Sequence, residues 1–225
     1  MNPKPLWDDE GPFFPRLWNT WVNVMFHPAK FFCEMPVNKG IGRPLLYAVI
    51  VGSFGAICAL LWQFIFSLIN ISFMQSNLET FLQQADIQNN FDFAAFKSLF
   101  TAVSLVVWML LAPVFVVIGQ FIWAGVMHVS IMILGDNKKG FEATFRAIAY
   151  ANTSPGVFAI IPFCGGFIAF IWSMILVIIG LKEAHQIPFW KVILAYFLPL
   201  LLCCLCGIIL IVIFGAAMLA MMKAA

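Results

Sequence analysis

Four stretches of this sequence, 44–78, 98–135, 147–181 and 192–222, each run for more than thirty residues without a charged side chain. A helix needs only ~20 apolar residues to cross ~30 Å of hydrocarbon. Within that layer every backbone N–H and C=O must find a partner inside its own segment, which selects helices. The runs therefore predict an all-α, polytopic bundle of membrane-spanning helices. Composition agrees, at 63% hydrophobic and 10% charged, against roughly 45–50% and about 25% in soluble domains. A net charge of +2 supplies no basic surface. Soluble enzymes, disordered tails and nucleic-acid partners are excluded, and the bilayer is the expected surroundings.

Each run is long enough for one crossing, but the third is punctuated by Pro155, Pro162 and the Gly165-Gly166 pair. Such residues break helix interiors. Two helices over 141–161 and 165–182, with a tight turn at Pro162-Phe163-Cys164, give five spans at about 45–71, 98–134, 141–161, 165–182 and 190–221. Residues 1–44 then form an N-terminal segment and 222–225 a tail. Glu142 and Arg146 stand at i, i+4 and are expected to pair in the first turn of the third span. The second span is overlong and contains Pro113, so it is expected to kink or to project from the bilayer.

Basic residues collect on cytoplasmic flanks. Five spans with the N-terminus inside put ten of the twelve lysines and arginines on the inner side. Four spans, with 141–152 on the surface, put nine there and remain the alternative. Splitting the second run at Pro113 divides the basic residues equally and is discarded. The stretch 75–96 carries Glu79, Asp86 and Asp92 and, before Phe96, no base, as an outer loop should.

No apolar segment ending in small residues precedes these runs, so an uncleaved cytoplasmic N-terminus is expected. Phe14, Leu17, Trp18, Trp21 and Met25 recur at helical spacing there, with Arg16, Asn19 and Asn23 between them. The stripe predicts a short amphipathic helix that lies in the interface, packs on the bundle, or does both. Trp18, Trp21 and Trp190 are placed as interfacial anchors, where amphipathic rings belong.

One family shares the order of several motifs. His27-Pro28 precedes Phe31-Phe32. The stretch from Phe141 to Tyr150 leads into Asn152-Thr153-Ser154-Pro155. Ile161-Pro162, Gly165-Gly166, Ile171-Trp172, Gly180-Leu181 and His185 follow, and the last run opens on Trp190-Lys191 before Ala195-Tyr196 and Pro199. Over roughly 16–215 the chain resembles the Yip domain family, membrane proteins named for interaction with Ypt/Rab GTPases, and more closely its bacterial branch. The resemblance implies five spans, a cytoplasmic N-terminus in a bacterial inner membrane, no enzymatic activity and no cofactor. It implies a role in membrane organisation or partner recruitment, of the trafficking type in eukaryotic relatives. The motif positions are Tyr150, Pro155, Pro162, Gly165 and Gly166. The long cytoplasmic domain through which eukaryotic relatives meet GTPases is nearly absent, which counts against GTPase binding; other membrane proteins or a second copy of the chain remain as partners.

The connections after Gly135 and Gly180 look alike, each leading through a charged turn to Phe145-Arg146 and Tyr150, or to Trp190-Lys191 and Tyr196. A parallel internal repeat is one reading; reuse of the same few residues by membrane helices is the other.

Catalytic signatures are lacking: no His-Glu-x-x-His helix, phosphate-binding glycine loop or Gly-x-Ser-x-Gly elbow occurs. His185, beside Glu183 in a charged turn, reads as a solvated loop residue. Cys203, Cys204 and Cys206 sit inside the last span, where small apolar packing is their expected role; Cys33, just before the first span, is open to acylation. The intramembrane polar residues are Gln63, Gln120, His128, Asn152 and Thr153. Gln120 and His128 share a helix face, and both are expected to face Asn152 across the contact of the second and third spans. Side chains near Pro155 can repair broken backbone and bridge helices. The rival reading is a small transporter or channel with a polar path near His128 and Asn152. Small-residue stripes at Gly52/Ala56, Gly165/Ala169/Ser173 and Ala216/Ala220 allow close helix approach within a bundle or an oligomer.

Overall fold

The computed structural model describes residues 6–84, 93–135 and 139–224. Lys4, Asp86, Asp92, Asp136 and Lys138, which entered the charge argument, lie outside them, as does Ala225. The elements are α1 (Phe13–Phe26), α2 (Pro28–Glu34), α3 (Gly42–Gln84), α4 (Phe93–Ile133), α5 (Gly140–Thr153), a 3-10 segment (Ser154–Ile160), α6 (Gly165–His185) and α7 (Phe189–Ala224). No strand occurs among the described residues.

Four helical segments are long and apolar enough to cross a membrane: Gly42–Ser67, Leu99–Ile133, Gly165–His185 and Phe189–Val212. The chain is a multi-pass membrane protein. The described residues of the 75–96 stretch are helical rather than looped, because α3 continues to Gln84 and α4 resumes at Phe93. α4 has 41 residues, about 60 Å at 1.5 Å each, twice the hydrocarbon thickness. It keeps Pro113 inside one helix. Its flank is almost wholly outward-facing, as Leu99, Val106, Leu110 and Ile122 show.

The fifth crossing helix expected over 141–161 does not form. α5 lasts 14 residues, includes Glu142 and Arg146, and stops before Pro155. A proline disfavours helical conformation in the residue before it and supplies no N–H. Thr153 Oγ1 donates to the Ala149 carbonyl at 2.6 Å and Ser154 Oγ to the Tyr150 carbonyl at 2.7 Å, occupying the oxygens of the last turn. The backbone tightens into the 3-10 segment, with Pro155 in its first turn.

This broken segment still follows α3 down the bundle. At its start Glu142 and Arg146 hold Gly40. Midway, a Cβ on Gly55 would meet the Gly156 carbonyl oxygen at 2.7 Å. At its end Trp62 Nε1 donates to the Ile160 carbonyl at 3.1 Å, and the Phe66 and Phe163 rings are 4.7 Å apart. Phe163 adopts φ +63°, turning the chain into α6, which returns until His185 meets Thr144. The described helices thus alternate in direction: α3 away from Gly42, α4 back, α5 with its 3-10 segment away, α6 back and α7 away.

The buried core lies at the Gly42 end. Phe32, Tyr47, Met127, Phe145, Tyr150 and Leu181 are all 0–1% exposed there. Close approach shapes the contacts: a Cβ on Gly165 would fall 2.0 Å from the Phe158 carbonyl oxygen, and one on Gly180 would press the Phe32 ring at 3.3 Å. The side chains of Ala216 and Ala220 lie outside the described residues.

Candidate functional site

The N-terminal segment is folded onto the Gly42 end of the bundle. Trp7 is buried, with its backbone N–H donating to Thr20 Oγ1 at 2.7 Å and its indole N–H to the Arg43 carbonyl at 2.7 Å. α1 buries Thr20, Val24 and Met25 against the bundle, and Trp21 Nε1 donates to the Ser154 carbonyl at 3.0 Å. One face of the aromatic stripe therefore packs on the bundle. Phe14, Trp18 and Phe26 point outward, 78%, 63% and 64% exposed.

Beneath this arm lies a buried ion pair. Arg146 is 0% exposed; its Nη2 contacts Asp8 Oδ2 and its Nη1 donates to the Gly40 carbonyl at 2.6 Å. Glu142 does not pair with Arg146 as its spacing suggested. Its carboxylate accepts the Gly40 N–H at 2.5 Å, so α5 grips both sides of one residue. Gly40 has φ +79°, a left-handed backbone that a side chain would strain. The guanidinium turns inward because an unpaired charge in this core is costly and Asp8 is the acid that reaches it.

Beside the pair stands an aromatic cluster. Tyr150 packs on Phe31 with centroids 5.2 Å apart and on Tyr47 at 5.0 Å. The Tyr47 hydroxyl is 2.8 Å from Ser154 Oγ. Ser154 donates in turn to the Tyr150 carbonyl, so Tyr47 is the donor in this bond. The Tyr150 hydroxyl and Asp8 Oδ1 are both buried, and the Asp8 carboxylate is the acceptor within reach of that hydroxyl. Both residues line a recess of about 280 Å³ between the arm and α5.

The intramembrane polar residues fall into two groups. Gln120, Asn152 and Thr153 line one cavity of about 330 Å³ between α3, α4 and the 3-10 segment. Ser173 Oγ donates to Asn152 Oδ1 at 3.0 Å, and Gln120 Oε1 is buried without a partner. His128 is not with them. Because α4 and α5 are antiparallel, the residue that meets His128, two turns along from Gln120, is Thr144, two turns back from Asn152. His128 Nδ1 lies 3.1 Å from Thr144 Oγ1, which also lies 2.8 Å from His185 Nε2.

His185 is 0% exposed rather than solvated, since α6 runs through it and ends on the left-handed Gln186. Cys203, Cys204 and Cys206 face outward from α7 rather than packing within the bundle; Cys33 is also exposed. Trp18 stacks on Trp21 at 5.2 Å, and Trp190 is exposed with Lys191 over its ring. The two halves of the suspected repeat differ: Tyr150 is buried and Pro155 opens a 3-10 segment, whereas Tyr196 is half-buried and Pro199 lies inside α7. Gly165 is closely packed and Gly166 open. No group of three metal-ligating side chains occurs among the described residues.

Sequence reading missed Asp8, Tyr47, Thr144 and His185. Glu142, four residues before Arg146, offered a local acid, so spacing alone gave no signal that Arg146 needs Asp8. Asp8 lies next to a tryptophan that buries.

A sequence model described as the Yip1 domain matches residues 22–211, most of the chain. Neither curated proteins nor solved structures give a match.

Proposed function

Because the chain belongs to the Yip1 domain family, we propose that it is a non-catalytic membrane module that organises bilayer or recruits partners through its N-terminal arm. One observation carries this reading. The arm is fixed to the bundle by Trp7, Asp8 and Trp21, while Phe14, Trp18 and Phe26 are left exposed on its outer edge. A rigidly held aromatic edge suits the headgroup layer or a neighbouring membrane protein. The N-terminus and the arm are assigned to the cytoplasmic face, with a bacterial inner membrane as the location.

A transport path would have to join the Gln120–Asn152 cavity to His128. Between those levels Ala124 and Met127 of α4 and Phe145, Ile148 and Ala149 of α5 are all 0% exposed. Dry packing there favours the module. The test is a photo-crosslinking amino acid at position 18, compared with one at position 110 on the outer flank of α4, in native membranes. Reproducible lipid-interface or protein adducts at position 18 that are absent at position 110 are expected. The same adducts at both positions, or solute flux in proteoliposomes of purified protein, would overturn the proposal.

A further inference from the structure

We infer that the groove between α3, α4 and the 3-10 segment docks a membrane-spanning helix of another protein, through a carboxamide side chain carried at mid-bilayer depth. This face of the bundle is separate from the N-terminal arm. Its floor is small: Gly52, Gly55 and Ala56 of α3, flanked by Gly119 of α4 and Gly156 of the 3-10 segment. Small residues let helices approach closely without selecting what approaches. Gln120 makes the selection. It is 4% exposed, lines the cavity of about 330 Å³, and has its Oε1 buried without a partner. Asn152 lines the same cavity and accepts from Ser173 through Oδ1. Among the described residues nothing accepts from its amide N–H groups. Amides left in this state within hydrocarbon call for a partner.

Depth and chemistry together identify the occupant. Gly52 lies about 15 Å into the helix that starts its crossing at Gly42, halfway through ~30 Å of hydrocarbon. A Cβ on Gly52 would meet Val116 at 3.0 Å and Thr153 at 3.2 Å, so the polar residues of the groove share that level. Acyl chains bring no hydrogen-bonding group to this depth. The unmet groups are an acceptor and a donor, and a carboxamide offers the donor and acceptor that match them. Turning the Gln120 amide over exchanges its acceptor for a donor, which a carboxamide also meets. A second copy of this chain does not fit. Among the described residues its outward-facing side chains at this depth are apolar or thiols, as Phe54, Ile118 and Cys203 show. Gln63 lies about 16 Å farther from Gly42. The mouth of the groove is open, since Gly119 is exposed and a Cβ there meets nothing within 4 Å.

Photo-crosslinking in proteoliposomes of the full-length protein tests this, with the reactive aromatic at position 115 on the mouth or at position 110 on the outer flank of α4. The probes are two lysine-flanked leucine–alanine crossing peptides at equal low density, identical except for Asn or Leu at the centre. At position 115 the Asn peptide should form about tenfold more adduct than the Leu peptide, the discrimination that one interhelical amide pair implies. At position 110 the two should react alike. Gln120→Met removes the amide at similar volume and should abolish most of the preference. Gly119→Leu projects into open space, so it should fold and close the mouth to both peptides, which keeps the site testable if Gln120→Met fails to fold. Equal adduct from the two peptides at position 115, or a preference that survives either variant, would overturn the docking site. Adducts at position 115 between two copies of the protein, without peptide, would overturn the assignment to another protein's helix.

Discussion

Replacing Asp8 by alanine should release the N-terminal arm. The substitution leaves the Arg146 guanidinium at 0% exposure with the Gly40 carbonyl as its remaining anchor. Breaking a buried pair from one side costs about 3–5 kcal/mol, because the abandoned charge stays desolvated. At 1.4 kcal/mol per tenfold, the undocked population rises by about two to three and a half orders of magnitude. Limited proteolysis of the full chain in nanodiscs reads that population when opening is fast relative to cleavage. Arg16 and Lys30 report the arm, and Lys139 and Lys182 report the bundle. Cleavage at the arm should accelerate far more than cleavage at the bundle. Arg146→Met alone should behave like Asp8→Ala, since it strands the carboxylate. The double variant removes both charges and should return to within about tenfold of the parent, because apolar replacement of a buried pair is often neutral. If Asp8→Ala cleaves at the parent's rate, or the double variant is no slower than either single one, the pair does not fasten the arm.

Three further outcomes follow from the packing. Gly55→Ala places a Cβ 2.7 Å from the Gly156 carbonyl oxygen and should cost about 1–3 kcal/mol in thermal unfolding, whereas Gly119→Ala, with nothing within 4 Å, should be nearly silent. Thr144→Val strips the hydroxyl from between His128 and His185 and should destabilise by about 1–3 kcal/mol, with Thr144→Ser restoring most of it. Since the helices alternate in direction from α3 to α7, impermeant labels at positions 2 and 225 should react from opposite faces of sealed vesicles; reaction from one face would break the alternation.

Much of the architecture was legible because it follows from solvation, which acts residue by residue. Hydrocarbon excludes charge, so uncharged runs mark the crossing helices, and a turn falls at Pro162-Phe163-Cys164 because Pro162 and the Gly165-Gly166 pair puncture the third run. The misreadings came from contacts that join distant residues. Periodicity places Arg146 near Glu142, but the side chain answers to Asp8, far away along the chain, and Glu142 to Gly40. His128 was matched with Asn152 on face alone; the antiparallel register of α4 and α5 gave it Thr144 instead. Spacing cannot carry that information, since it depends on which helix runs beside which, and at what height.

By itself the sequence determined the class: an all-helical membrane bundle with an aromatic N-terminal stripe, since burial in lipid is a property of composition along each segment. Only the tertiary structure decided that 141–161 descends as a short polar helix and a 3-10 segment rather than as a fifth crossing helix. A helix containing Glu142 and Arg146 is tolerable there only because the arm and Gly40 satisfy those charges, and at Pro155, which offers no N–H, the Thr153 and Ser154 hydroxyls fold back onto carbonyls of the last turn of α5.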